Sequence, residues 1–337
     1  MNCVSKIITV EEHFMSEAVN SEYIKLLEKT QLTQAQKAKC EFIQKFIEKG
    51  EITEIGERHL EFMEQHGIDI QILSYGNNSP AYLEPEDAIP LCQMANDELS
   101  QYCKKYPGKF YGFAVLPVGN IDAAVTELER AVNKLDLKGV IFNGAYHEIY
   151  FDDPKFFPIF EKAQELGVPI MLHPGEVPTH IAETYYQGSW SMATANVFAG
   201  HGMGWHYDAG VQYMRMILAG IFDRLPELQL ICGHWGELLP YYFNRMDDMF
   251  PTALTGLQHK ISYYFQNNMY LTPSGMFYED DLQFCLKKVG ADRILWATDY
   301  PYCKPENSKK YLEELDITQE EKQKIAYINA EKLFGLK

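Results

Sequence analysis

Residues 139–175 read GVIFNGAYHEIYFDDPKFFPIFEKAQELGVPIMLHPG. The stretch opens on a short apolar run, Gly139–Phe142, and passes into an amphipathic segment, Pro154–Leu166. It ends in a second apolar run, Val168–Leu172, closed by His173-Pro174-Gly175. Two apolar runs of strand length around a helix-length amphipathic segment form a strand–helix–strand unit, which sets its two strands parallel.

The same alternation runs outward in both directions. The other expected strands are Lys6–Val10, Asp69–Ser74, Phe110–Val115, Leu228–Cys232, Gln266–Leu271 and Arg293–Ala297. Expected helices cover Glu22–Lys49, Glu57–His66, Glu86–Tyr106, Ile121–Asn133, Val211–Gly220, Leu238–Met249, Asp280–Val289 and the tail from Thr318. Eight strands, most followed by a helix, predict an α/β chain folded as one (β/α)₈ TIM barrel over residues 1–337. The alternative is a doubly wound open sheet, but no G-x-G-x-x-G or P-loop follows any strand. Two regions depart from the pattern: a helical insertion after strand one, roughly 20–55, and a long loop after strand five, 174–206. A loop of that length in a compact domain is usually functional, often a lid; a helical excursion packed on the barrel mouth is the other reading.

Composition limits the partners. The 337 residues carry 30 basic and 47 acidic side chains, for a net charge of −17, and the densest basic runs are only Lys104-Lys105 and Lys309-Lys310. That exterior repels phosphate backbones, so no nucleic-acid partner is expected. It does not exclude an anionic substrate, because a buried cation dominates its local field. No apolar stretch reaches membrane-spanning length, and the N-terminus lacks the apolar core of a signal peptide. Seven scattered cysteines, never in C-x-x-C spacing, offer neither a disulfide framework nor a thiolate zinc site. A cytoplasmic setting is expected.

Catalytic groups of such a barrel sit at the C-terminal ends of its strands. Strand one ends Glu11-Glu12-His13, with Glu11 and His13 on one face by strand alternation. Strand five ends at His173, strand six at Cys232-Gly233-His234-Trp235-Gly236-Glu237, and strand eight at Thr298-Asp299-Tyr300-Pro301. A single histidine at a strand end is commonly structural, and Glu-x-His alone reads as a surface polar pair. Together these residues suit one divalent transition ion, zinc or manganese, held by Glu11, His13, His173 and Asp299. His234 then sits beside the ion as a base or substrate contact. Glu237 either orients its imidazole or only interacts with a helix N-terminus.

On these residues the chain resembles the amidohydrolase superfamily, in its decarboxylase branch of hydroxybenzoate and aminocarboxymuconate semialdehyde decarboxylases. The stretches that carry the resemblance are VEEHF (10–14), MEQHGIDIQILS (63–74), 142–174, AGIFDRLPELQLICGHWGELLPYYFNRMD (219–247), LWATDYPY (295–302) and NAEKLFGL (329–336). The first motif is Glu-x-His rather than the His-x-His common among hydrolases. Strand four ends in Asn143 with no lysine, which argues against a carboxylate-bridged pair of ions.

The resemblance implies non-oxidative decarboxylation of a small aromatic or enoic carboxylic acid. Asp299 would be the proton donor, His234 with Glu237 would polarise the substrate or move the proton, and Arg245 would hold a carboxylate. It also implies a homo-oligomer, a dimer or tetramer. Trp190, Trp205 and Tyr207 are candidates to stack on a planar ring, or else pack within the lid. His206 and Asn143 are candidate substrate contacts. Two competitors remain: metal-dependent hydrolysis of a lactone or amide at the same site, and a catalytically dead barrel that only binds.

Overall fold

The computed structural model describes residues 4–29, 44–45, 47–76, 78–304 and 307–336. Its elements run β1 (Ile8–Phe14), α1 (Glu17–Glu28), α2 (Glu57–His66), β2 (Ile70–Tyr75), α3 (Pro85–Lys105), β3 (Phe110–Ala114), α4 (Ile121–Asn133), β4 (Gly139–Asn143) and α5 (Phe157–Leu166). They continue as β5 (Ile170–His173), α6 (Met192–Ala199), α7 (Gly204–Leu218), β6 (Leu230–Cys232), α8 (Leu239–Met249), α9 (Ile261–Asn267), β7 (Met269–Leu271) and α10 (Glu279–Val289), with short helices in the tail.

All strand pairings are parallel, in the order β1-β2-β3-β4-β5-β6-β7. Among the described residues the sheet has seven strands rather than the expected eight. The segment read as strand eight makes only the isolated parallel bridges Leu271↔Ile294 and Thr9↔Trp296. It is nonetheless hydrogen-bonded to both edges, Leu295 N to Leu271 O and Val10 N to Trp296 O, at 2.9 Å each.

Local chemistry explains the elements. Asn120 caps α4 by accepting from Ala123 N, and the helix buries Ala124, Leu128 and Ala131, one face at helical spacing. Gly67 ends α2 at φ 64°, a left-handed conformation that glycine takes without steric cost. Ile72, Val140, Met171, Ile231, Leu271 and Trp296 are all fully buried and line the shared core.

Three expectations change. Gln266 and Asn267 are helical, because the aromatic pair Tyr264 and Phe265 buries one face of α9 before the short β7 begins. Residues 174–206 are largely helical rather than a loop: besides α6 they hold a turn at Thr179–Ile181 and a π-helical turn at Ala182–Tyr186. α7 starts at Gly204, ahead of the expected Val211, so Trp205, His206 and Tyr207 are helix residues. Of the helix expected over Glu22–Lys49, α1 covers the start, while residues 30–43 and 46 lie outside the described residues.

His59 on α2 is fully buried and its Nδ1 lies 2.9 Å from Gln71 Oε1. Burial pulls its imidazole down to about 4, against a partly compensating hydrogen bond that the ring donates to Gln71. The unfolded chain therefore takes up a proton below about 6.5 that the folded chain refuses until about 4. Stability from this site is complete above about 6.5 and is lost as pH falls between those values. At about 1.4 kcal/mol per pH unit, urea unfolding should show the stability difference between pH 7 and pH 5 shrinking by about 2 kcal/mol in His59→Met. An unchanged difference would show that His59 titrates normally.

Candidate active site

The C-terminal ends of the strands bring Glu11, His13, His173 and Asp299 into one buried group. The backbone is bent to do so. The β1–β2 register shifts between Thr9 and Glu12, an irregularity within β1 that centres on Glu11. Glu11 and Asp299 have φ of 66° and 60°, and His234, Trp235 and Glu237 lie at 45°, 56° and 53°. Left-handed backbone at non-glycine residues is costly and here concentrates at the strand ends.

Three of the four candidate ligands are oriented by a neighbour. His173 Nδ1 lies 2.7 Å from Pro174 O and must donate there, which leaves Nε2 with a lone pair. Ser74 Oγ donates to Glu12 O at 3.3 Å and so accepts from His13 Nδ1 at 3.0 Å, which likewise frees His13 Nε2. Glu11 Oε2 accepts from the hydroxyls of Thr272, at 2.8 Å, and Ser274. Glu11 Oε1, His13 Nε2 and Asp299 Oδ1 are buried and find no hydrogen-bond partner among the described residues.

These free atoms face one another. His13 Nε2 is 3.0 Å from Asp299 Oδ1, and His173 Nε2 is 3.8 Å from Glu11 Oε1. Lone pairs on nitrogen and carboxylate oxygen repel unless a cation lies among them. Burial, and the charge of Asp299 beside Glu11, hold the Glu11 carboxyl above its ordinary range; burial does the same to Asp299. Burial also pushes His13 and His173 down to about 4 and about 3, so both imidazoles are neutral, as metal ligands must be. Gly233 leaves the space: a Cβ there would lie 2.9 Å from Glu11 Oε1. The donor set, two imidazoles and two carboxylates, fits a divalent transition ion.

His234, Glu237 and His206 form a second group beside the first. His234 Nδ1 is 2.8 Å from Glu237 Oε1, and its ring centroid is 5.9 Å from that of His173. Burial alone would lower the His234 imidazole, but the charge and hydrogen bond of Glu237, with Glu11 and Asp299, raise it to about 9. Glu237 is driven below the ordinary carboxylate range by the two histidines, although burial opposes this. A cationic imidazole beside a metal-ready group can hold a substrate oxyanion or pass a proton.

The remaining candidates divide. Trp205 lies against the site, its ring centroid 6.3 Å from that of His173. Trp190 donates to Tyr186 O and packs on Phe198 within the helical excursion, and Tyr207 is exposed. Asn143 pairs with His173 across β4 and β5, and its buried Oδ1 has no hydrogen-bond partner. Arg245 is exposed on α8, and nearby Asp247 accepts from Ser262 N and Oγ.

Sequence reasoning passed over the supporting hydroxyls Ser74, Thr272 and Ser274, and Glu12. Thr272 and Ser274 lie just beyond the end of β7, as His173 closes β5, so the strand-end pattern itself could have found them. Glu12 accepts from Thr298 N at 2.9 Å, Thr298 Oγ1 at 2.6 Å and Tyr300 N at 3.2 Å. It thereby clasps the backbone on both sides of Asp299.

Comparison with known proteins is consistent with this geometry. Residues 38–336 match the amidohydrolase family. The chain is 33% identical over 298 residues to γ-resorcylate decarboxylase of Polaromonas sp. strain JS666, covering 85% of this chain and 89% of that one. It superposes on the crystal structure of dihydroxybenzoic acid decarboxylase from Polaromonas sp. JS666, bound to manganese and 2-nitroresorcinol, with TM-score 0.84 and 29% identity over 98% of this chain and 97% of that one. A 5-carboxyvanillate decarboxylase from Novosphingobium aromaticivorans, bound to manganese and 4-hydroxy-3-methoxy-5-nitrobenzoic acid, gives 0.87 and 26%, covering 100% and 99%.

Proposed function

The chain belongs to the amidohydrolase family, and on that premise we propose that it is a metal-dependent, non-oxidative decarboxylase of a small aromatic carboxylic acid of the hydroxybenzoate class. The observation that carries the reading is the set of buried, partnerless atoms Glu11 Oε1, His13 Nε2 and Asp299 Oδ1, gathered with His173 beside the His234–Glu237 pair. Manganese, present in the related structures, is the favoured ion, with zinc the alternative. The same reading takes residues 294–296 as the eighth stave of a single-domain barrel, and places the enzyme in the cytoplasm.

A bound divalent ion would supply Lewis-acid chemistry, stabilising negative charge on the substrate. Glu11, His13, His173 and Asp299 would hold it. Asp299, ionised while it holds the ion, would be released as substrate binds, take up a proton and give it to the ring carbon that bears the carboxylate. The carbon–carbon bond then breaks, its electron pair restores the aromatic ring, and carbon dioxide leaves. His234, cationic and held by Glu237, faces the developing negative charge and returns a proton to Asp299. Asn143 Oδ1 is free to accept from a substrate hydroxyl. Trp205 borders the site at His173.

Arg245 is exposed on α8, and in this reading it holds the carboxylate of a substrate bound in a neighbouring protomer of a homo-oligomer. Arg245→Ala should then raise KM about tenfold, the worth of one charge-assisted hydrogen bond, with kcat and metal content unchanged. Steady-state kinetics with metal analysis would read this; an unchanged KM removes Arg245 from the site.

The test of the function is a manganese-loaded preparation incubated with a hydroxybenzoate panel, read by carbon dioxide release and by chromatography of the phenol formed. Gas and phenol in equal amounts from at least one acid are expected. Opening of a lactone or amide panel without gas would establish hydrolysis instead.

A further inference from the structure

We propose that His206, with its tautomer set by Trp205, is a positioning residue: it grips the oxygen of Glu237 that His234 leaves free and so fixes how His234 is presented to the substrate. The inference rests on the decarboxylase reading above for the role of His234. It departs from the expectation that His206 and Trp205 themselves touch substrate.

Glu237 is buried, with 1% of its surface exposed, and its two oxygens are divided between two imidazoles. Oε1 lies 2.8 Å from His234 Nδ1 and Oε2 lies 2.7 Å from His206 Nδ1. A buried carboxylate held by one donor alone leaves an unsatisfied oxygen and a free torsion. With both oxygens gripped it can do neither, and His234 Nδ1 stays protonated and turned toward Glu237.

The direction of the second bond follows from the indole. An indole N–H only donates, and Trp205 Nε1 lies 3.0 Å from His206 Nε2. His206 Nε2 therefore carries a lone pair, the ring proton sits on Nδ1, and Nδ1 donates to Glu237. His206 Nε2 also lies 3.2 Å from the carbonyl of His201, a contact that serves only the opposite tautomer and is the longer of the two.

The backbone that carries His206 is seated for this task. α7 is anchored at Tyr213, whose hydroxyl reaches the carbonyls of Leu172 on β5 and Ile231 on β6 at 2.5 and 3.1 Å. One turn earlier, Gly210 packs so closely on the Glu237 turn that a Cβ would lie 2.8 Å from Glu237 O. That turn holds His234, Trp235, Glu237 and Leu238 at positive φ, a geometry that persists only when its surroundings hold it.

The test uses the zinc-loaded, diamagnetic holoprotein labelled with ¹⁵N-histidine, and kinetics of His206→Leu, His206→Asn and Trp205→Phe. NMR should show His206 protonated at Nδ1 and bare at Nε2, with that preference lost in Trp205→Phe. His206→Leu should lower kcat about 10–100-fold, the range for loss of a group that orients a site residue, at unchanged KM and metal content. His206→Asn, whose amide N–H replaces the Nδ1 donor, should restore most of the rate. A raised KM with kcat intact would make His206 a substrate contact and overturn the proposal, as would an Nε2-protonated His206. If the wild type releases no carbon dioxide, the decarboxylase reading has failed, and the tautomer spectrum still decides whether His206 holds Glu237.

Discussion

His173→Ala should leave the protein folded but unable to retain its divalent ion. His173 presents Nε2 because its Nδ1 is committed to Pro174 O at 2.7 Å, and burial keeps the ring neutral. Without it, Glu11 and Asp299 still crowd one buried space, but one of the two neutral nitrogen donors is gone. Loss of a group that merely orients a ligand commonly costs 10–100-fold in affinity or activity, so loss of the ligand itself should exceed about 100-fold in both. Elemental analysis after dialysis should find the wild type metallated and the variant nearly empty. Added manganese should raise the melting temperature of the wild type and not of the variant, because only binding to the folded state stabilises it. Full metal content in His173→Ala would overturn the assignment of the ligands.

His234→Asn should separate chemistry from metal binding. Its metal content should match the wild type, while kcat falls by about 10²–10⁴-fold, the usual contribution of a positioned acid or base. The wild-type rate should also depend on the His234 proton. Burial works against the cation, but Glu237, Glu11 and Asp299 outweigh it and raise the group to about 9. The active, protonated form is therefore present at neutral pH, and the rate should fall as pH rises through about 9. The linked stability has the same sign: it is complete below the unfolded value of about 6.5 and is lost as pH rises through about 9. A variant that keeps full activity, or that loses its metal along with its activity, would place His234 elsewhere in the mechanism.

Strand and helix order, and the residues that close each strand, were legible because both are written in short-range periodicity. Apolar runs of strand length that stop at Glu11, His13, His173, His234 and Asp299 mark one rim wherever the strands are parallel. Where local signal was weak the reading slipped. β7 is only three residues long, and the aromatic run before it, Tyr263 to Phe265, suits a helix as well as a strand.

The amino-acid sequence by itself determined the α/β alternation, the acidic exterior and the four candidate ligands, since each follows from residues adjacent in the chain. Only the tertiary structure decided how those ligands are held. The hydroxyl of Thr272 meets Glu11 across a separation of 261 residues, and His206 meets Glu237 across 31. It also decided that Glu12, one residue from two ligands, serves the backbone around Asp299. The physical reason is that a buried hydrogen bond between distant segments depends on how whole elements pack, and no local pattern records which polar side chain will find its partner there.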